Sequence, residues 1–154
     1  MKSLNLDKKG ICEYQQNREP YLMIDYATEV IPGVSAKGYK DFKTDEWFFK
    51  VHWKNDPNVP GMLQIEALVQ MSALSILSLP GNKGKVAYIT SANNLKFIKK
   101  ILPGTRLHNE TKIKSFKRGL AVCEAVGLIE KNIACKAEFS LILPDEIKKY
   151  NLRK

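Results

Sequence analysis

Apolar residues crowd into one part of this chain. From Gly61 to Leu79 the sequence GMLQIEALVQMSALSILSL puts them on nearly every face of a 3.6-residue spiral. That predicts a long helix wrapped by other structure, not one lying on a surface. Pro60 suits its first position, where the missing N–H is not needed, and Pro80-Gly81 stops it. The flanks read as strand. PYLMIDYATEVIPG, from Pro20, has strand composition and ends on the turn signal Pro32-Gly33, and VSAKGYKDF is the returning strand. TDEWFFKVHW then carries dense aromatics up to His52, and KNDPNVPG is loop chemistry. Beyond the helix, KVAYITSANNLKFI, TRLHNETKIKSFK, LAVCEAVGLIE and IACKAEFSLIL all read as strands. Val122, Glu124, Val126 and Leu128 recur with period two, as do Phe139, Leu141 and Leu143. Two strands, one buried helix and several antiparallel strands give the α+β class, a sheet curled around a central helix.

Composition narrows this only slightly. With 154 residues, 44% hydrophobic and 27% charged, the chain is expected to be a single globular domain over residues 1–154. Three cysteines, Cys12, Cys123 and Cys135, cannot all pair. Buried thiols in a reducing cytoplasm are the expectation. The opening MKSLNLDKKGICEYQQ lacks the apolar core of a secretory signal. MLQIEALVQMSALSILSL approaches the length of a membrane span. It carries Gln64, Glu66 and Gln70, however, and a carboxylate at mid-membrane costs a few kcal/mol. A helix buried in protein is expected, with no membrane insertion.

The net charge of +9 is concentrated between Lys96 and Arg118, where eight basic residues face only Glu110. Such a block attracts an acidic partner. It lacks a zinc-finger or RNA-recognition signature, so no nucleic acid is expected. His108, within the block, reads as an exposed, inert side chain. No metal-ligand cluster or glycine-rich phosphate loop is present.

The candidate chemistry lies at the start of the apolar helix. Leaving Glu66 in an apolar site requires pairing, hydrogen bonding or protonation. Desolvation raises a carboxyl pKa, as a general acid near neutral pH requires. Gln70, one turn further on the same face, can hold the carboxyl. His52 can act as base. Between them, the helix N-terminus offers free backbone N–H groups at Pro60-Gly61 that can polarise a carbonyl oxygen. Gly61 is expected to let a substrate approach the backbone. Base, acid and oxyanion donor suit elimination of water.

The run H-x7-P-G-x-L-x-I-E-A-L-x-Q, formed by His52, Pro60, Gly61, Leu63, Glu66, Ala67 and Gln70, resembles the signature of the FabZ-type β-hydroxyacyl-acyl carrier protein dehydratases. NREPYLMIDYATEVIPG and NNLKFIKKILPG resemble that family's flanking segments, so the likeness runs from about residue 17 to residue 143. It implies a hot-dog fold, an antiparallel sheet wrapped about one long helix. It also implies homodimers, often three together as a hexamer, whose shared active sites take histidine and glutamate from facing subunits. By that resemblance His52 removes the α-proton of a 3-hydroxyacyl thioester and Glu66 of the other chain protonates the departing hydroxyl. Gly61 N–H steadies the thioester oxygen, and no metal or cofactor is needed. Related isomerising dehydratases have Asp where this chain has Glu66, which favours dehydration without isomerisation. The implied partner is an acyl carrier protein, met by the basic block.

The chain departs from the family pattern around the histidine. Val51 replaces glycine, Trp53-Lys54-Asn55 replace Phe-Pro-Gly, Asp56 replaces a residue that is often histidine, and Thr105 replaces aspartate. The resemblance makes the loop positions shapers of the imidazole setting and the tunnel mouth. Trp47, Phe48, Phe49 and Trp53 suit either an acyl tunnel or dimer packing. Met62, Met71, Leu74 and Leu77 are core residues first. Two alternatives stand beside dehydration. One is a hot-dog thioesterase, which His52 argues against. The other is a non-catalytic acyl or carrier-protein binding module, supported only by the altered loop.

Overall fold

A computed structural model describes residues 2–151. The ends of the expected 1–154 domain, Met1 and residues 152–154, lie outside the described residues. In chain order the elements are β1 (Leu4–Leu6), α1 (Lys8–Tyr14), β2 (Tyr26–Ile31), β3 (Ser35–Phe42), a 3-10 turn (Trp47–Lys50) and α2 (Gly61–Leu77). There follow β4 (Tyr88–Phe97), β5 (Thr105–Lys117), β6 (Leu120–Ile129), β7 (Asn132–Ile142) and α3 (Pro144–Asn151). The strands form one seven-stranded sheet in the order β1-β2-β3-β5-β6-β7-β4. Its strand pairs are antiparallel.

The helix α2 packs on β3, β5, β6 and β7. Leu68, Met71, Leu74 and Ile76 have no exposed surface. The sheet meets it with mostly small residues: Ala121, Cys123 and Ala125 of β6 and Ala137 of β7 are buried. The outward set Val122, Glu124 and Val126 is only partly covered. Small residues under a helix let the backbone layers come close, so that dispersion contacts fill the interior. This is the α+β arrangement that the hydrophobic pattern predicts. The β2–β3 turn also docks on the helix, since Gly33 N–H donates to Ser75 O at 2.7 Å. Gly33 sits at φ 72°, a conformation that glycine adopts without strain.

The structure departs from the sequence reading or adds to it in four places. Residues 20–25 are not strand, although Leu22, Met23 and Ile24 are fully buried. Met23 N–H is taken by the side chain of Gln70 rather than by a neighbouring strand. The aromatic stretch forms the 3-10 turn, with Phe48 and Phe49 buried and Trp47 exposed. Pro60 is the N-cap rather than the first helical residue, at φ −51° and ψ 135°. Finally, β1, α1 and α3 had no prior signal. Asp7 caps α1 by accepting from Gly10 N–H at 2.8 Å.

Cys123 and Cys135 are free and buried. Burial pushes their thiols up to about 12 and about 11. Such thiols stay protonated and unreactive. Among the described residues no helix is long and apolar enough to cross a membrane.

The edge strand β4 is unlike the others. It is exposed along nearly its whole length, with Tyr88 57% and Phe97 49% exposed, and pairs on one side with β7. Its outer edge carries backbone groups available to another strand.

Candidate active site

Glu66 lies in the second turn of α2, flanked by the buried Ile65 and Ala67 and itself half-buried. Desolvation raises its pKa above the ordinary 4.5, and the hydrogen bond from Gln70 opposes the rise. Gln70 is saturated. Its Nε2 donates to Glu66 Oε1 at 2.8 Å and to Tyr21 O at 2.9 Å, while its Oε1 accepts from Met23 N–H at 2.8 Å. The irregular segment before β2 thus fixes the carboxamide that fixes the acid. The Tyr21 phenol is raised by its own burial and by the nearby Glu66 charge. Sequence reasoning found Gln70 but missed the Tyr21–Met23 clamp, because a main-chain donor and acceptor leave no trace in residue type.

His52 follows the 3-10 turn, its own N–H donating to Phe48 O at 2.9 Å. Its Nδ1 lies 3.2 Å from Asn58 O. A carbonyl only accepts, so this contact keeps the proton on Nδ1 and leaves Nε2 as the nitrogen with the free lone pair. The imidazole also stacks on the Trp53 indole, with ring centroids 4.5 Å apart at 17°. Asn58 is itself held. Its Nδ2 donates to Asp56 O at 2.7 Å, and the next residue, Val59, donates from N–H to Ile101 O at 2.8 Å. Lys100 pairs with Asp56 at 2.5 Å. The departures at Trp53 and Asp56 therefore have definite roles, one stacking on the imidazole and the other tying the loop to the segment after β4. Asn58 carried no sequence signal, since its part is played by a backbone carbonyl.

Gly61 begins α2, and its N–H belongs to the helix turn that has no intrahelical acceptor. A side chain there would meet Phe97, whose ring atoms lie 3.0 and 3.1 Å from the position of a Cβ. Packing of an aromatic ring of β4 is thus one reason for a glycine here.

Within one chain His52 and Glu66 keep separate partners: Asn58 and Trp53 for the imidazole, Gln70 for the carboxyl. Glu66 and Gln70 open onto a cavity of about 390 Å³. It runs along α2 past Val69, Ala73 and Leu77 and is lined on another side by Val86 and Ile89. Leu77 stands eleven residues after Glu66, roughly 16 Å along a helix axis. Met71 and Leu74 are buried in the core instead. A larger hollow of about 680 Å³ lies among Lys37, Glu110, Glu124 and Lys136 and contains none of these groups.

The basic block does not form one patch. Arg106 is paired bidentately with Asp41, and Lys114 with Glu124. His108 is exposed, its ring edge-on to Tyr39. Lys50, Lys54, Lys99 and Lys100 stand nearer the His52 loop in the chain and through its ties to Ile101 and Lys100.

The FabA-like domain model matches residues 16–138. The chain is 38% identical over 137 residues to the 3-hydroxyacyl-[acyl-carrier-protein] dehydratase FabZ of Clostridium novyi (strain NT), covering 86% of this chain and 96% of that protein. To the FabZ of Clostridium botulinum (strain Okra / Type B1) it is 38% identical over 138 residues, or 90% of this chain and 96% of that one. Among solved structures, the dehydratase heterocomplex ApeI:P from Xenorhabdus doucetiae aligns with a TM-score of 0.75 at 9% identity, covering 94% and 97% of the two chains. A hypothetical thioesterase with coenzyme A from Streptococcus pneumoniae TIGR4 aligns with a TM-score of 0.55 at 14% identity, covering 73% and 80%. These two likenesses show the fold alone.

Proposed function

The chain belongs to the FabA-like family, and we propose that it uses His52 as base and Glu66 as acid to remove water from a 3-hydroxyacyl thioester. The reaction is that of the 3-hydroxyacyl-[acyl-carrier-protein] dehydratases to which it is similar over most of its length, a hydro-lyase step of fatty acid biosynthesis. The product is the trans-2-enoyl thioester.

The observation that carries the site assignment is the state of Glu66: half-buried, raised by desolvation and open to an elongated, largely apolar cavity. A carboxyl that holds its proton longer than usual can protonate a leaving hydroxyl. In the mechanism, His52 Nε2 takes the proton from C2. The freed electron pair becomes the C2–C3 double bond, and the C3–O bond breaks as Glu66 gives its proton to form water. Histidine ends protonated and glutamate ionised, and a proton exchanged through solvent resets both. Negative charge gathering on the thioester oxygen is met by Gly61 N–H at the positive end of α2. The acyl chain runs along α2 from Glu66 toward Leu77.

A second copy of the chain completes the site in this reading, bringing its His52 to the Glu66 of the first. Support comes from the bare outer edge of β4 and from Ile89, Phe97, Ile98 and Met62, all large apolar residues left exposed on one chain. An acidic carrier protein would approach Lys50, Lys54, Lys99 and Lys100. The free, buried thiols suit a reducing cytoplasm. The fold is shared with a hypothetical thioesterase, so fold does not separate the two activities. The His52-to-Gln70 motif favours dehydration.

The test is a continuous assay of enoyl formation with 3-hydroxyacyl thioesters of several lengths, run on the wild type, His52→Ala and Glu66→Gln. Each variant is expected to lose at least about a hundredfold in rate, the share that general acid–base groups supply. Full activity in either refutes the assignment.

A further inference from the structure

Gln15 follows α1, is only 3% exposed and lines the same cavity as Glu66. Among the described residues neither its amide nitrogen nor its amide oxygen has a hydrogen-bond partner. Of the other polar residues of that cavity, Asn17 is half-buried and Tyr88 is exposed, and the rest are engaged. Gln70 is engaged as above, Gln16 Nε2 donates to Gly84 O at 2.8 Å, and Lys85 bonds Asn82 Oδ1 at 2.9 Å and Glu146 at 2.5 Å. Asn109 also has an unpartnered amide, but it lies on the inner face of β5 and lines neither cavity. The main chain at Gln15 is held in place. Its N–H donates to Ile11 O at 3.1 Å, its carbonyl accepts from the Arg18 guanidinium at 2.7 Å, and Gly84 N–H donates to Tyr14 O at 2.9 Å beside it.

A buried carboxamide with nothing to bond is costly, and native proteins usually retain one only where something pairs with it. The same cavity is lined by the apolar Val69, Ala73, Leu77, Val86 and Ile89. We propose that Gln15 makes this groove selective for acyl chains bearing a second oxygen, a hydroxyl or carbonyl beyond C3, over plain hydrocarbon chains. The inference rests on the reading that the groove beside Glu66 holds the acyl chain. A carboxamide offers both a donor and an acceptor, so a hydroxyl satisfies both and a carbonyl the donor, whereas a methylene satisfies neither. Sites built to bond a substrate oxygen reject the analogue lacking it far more strongly than apolar pockets discriminate by size.

The experiment compares 3-hydroxyacyl pantetheine thioesters of one length, plain or with a second hydroxyl at successive carbons. Binding and turnover are measured on the wild type and on Gln15→Met. At one hydroxyl position the wild type is expected to prefer the oxygenated chain at least about tenfold, the worth of one good hydrogen bond. Gln15→Met loses that preference, keeps or gains on plain chains, and melts no lower. In the wild type the Gln15 side-chain amide NMR signal, identified by its loss in the variant, shifts with the oxygenated chain and not with the plain one. Equal binding of both chain types leaves the acyl-groove reading standing and overturns the role of Gln15. So does an equal loss on both in the variant. Failure of every acyl thioester to bind overturns the underlying reading itself.

Discussion

Gln70 donates to the Glu66 carboxylate at 2.8 Å while two main-chain groups, Tyr21 O and Met23 N–H, hold its carboxamide in place. The acid is therefore set between two opposing influences. Burial pulls its pKa up, and the amide hydrogen bond pulls it down.

Replacing Gln70 with leucine removes the downward influence, so the Glu66 pKa rises further. If Glu66 must carry its proton to react, the alkaline limb of the pH–rate profile moves to higher pH. The variant also leaves Met23 N–H and Tyr21 O without their partner, at a cost of about 2 kcal/mol or more in stability. A pH–rate profile and a denaturant titration check both.

Glu66 also links stability to pH. A carboxyl with a raised folded-state pKa binds its proton more tightly in the native chain than in the unfolded one. Below the ordinary value of 4.5 both states are protonated and no penalty exists. As pH climbs from there through the folded-state pKa, stability falls, and above it the whole penalty is present. Glu66→Gln never ionises. The variant should match the wild type in acid and exceed it increasingly as pH rises through that window, read as the difference in Tm against pH.

Asn58 acts on the base at one remove. Its side chain ties the loop through Asp56 O, and its carbonyl receives Nδ1 of His52. Asn58→Ala frees that carbonyl to move and lets the imidazole proton sit on either nitrogen. The expected result is a loss of about tenfold or more in kcat, with small effect on KM, since slight misplacement of a reacting group is expensive. Nitrogen NMR of the His52 ring should show one neutral tautomer in the wild type and a mixture in the variant.

Much of this was legible in the sequence. The helix from Gly61 announced itself by apolar residues on every face, and β5 was bounded correctly at Thr105 and Lys117. His52, Glu66, Gly61 and Gln70 were named from spacing and resemblance. What stayed hidden depends on the main chain and on distant packing. Leu22, Met23 and Ile24 look like strand, yet they are buried as an irregular segment because Gln70 replaces a strand partner for Met23. Phe97 against Gly61 joins residues far apart in the chain, and the orphaned amide of Gln15 exists only once the groove is built. The charge run was legible as a run but not as a surface, since strand geometry spreads part of it along β5, where acidic neighbours on β3 and β6 meet Arg106 and Lys114.

In the proposed dimer each site takes its imidazole from one protomer and its carboxyl from the other. Subunit exchange between His52→Ala and Glu66→Gln tests it directly, because a mixed dimer then holds one site with both groups intact and one with neither. After random exchange about half of the dimers are mixed, each with one intact site of two, so dehydratase activity should return to about a quarter of wild type. If the mixture stays as inactive as its two parents after exchange is verified, both groups act from the same chain and the shared-site account is wrong.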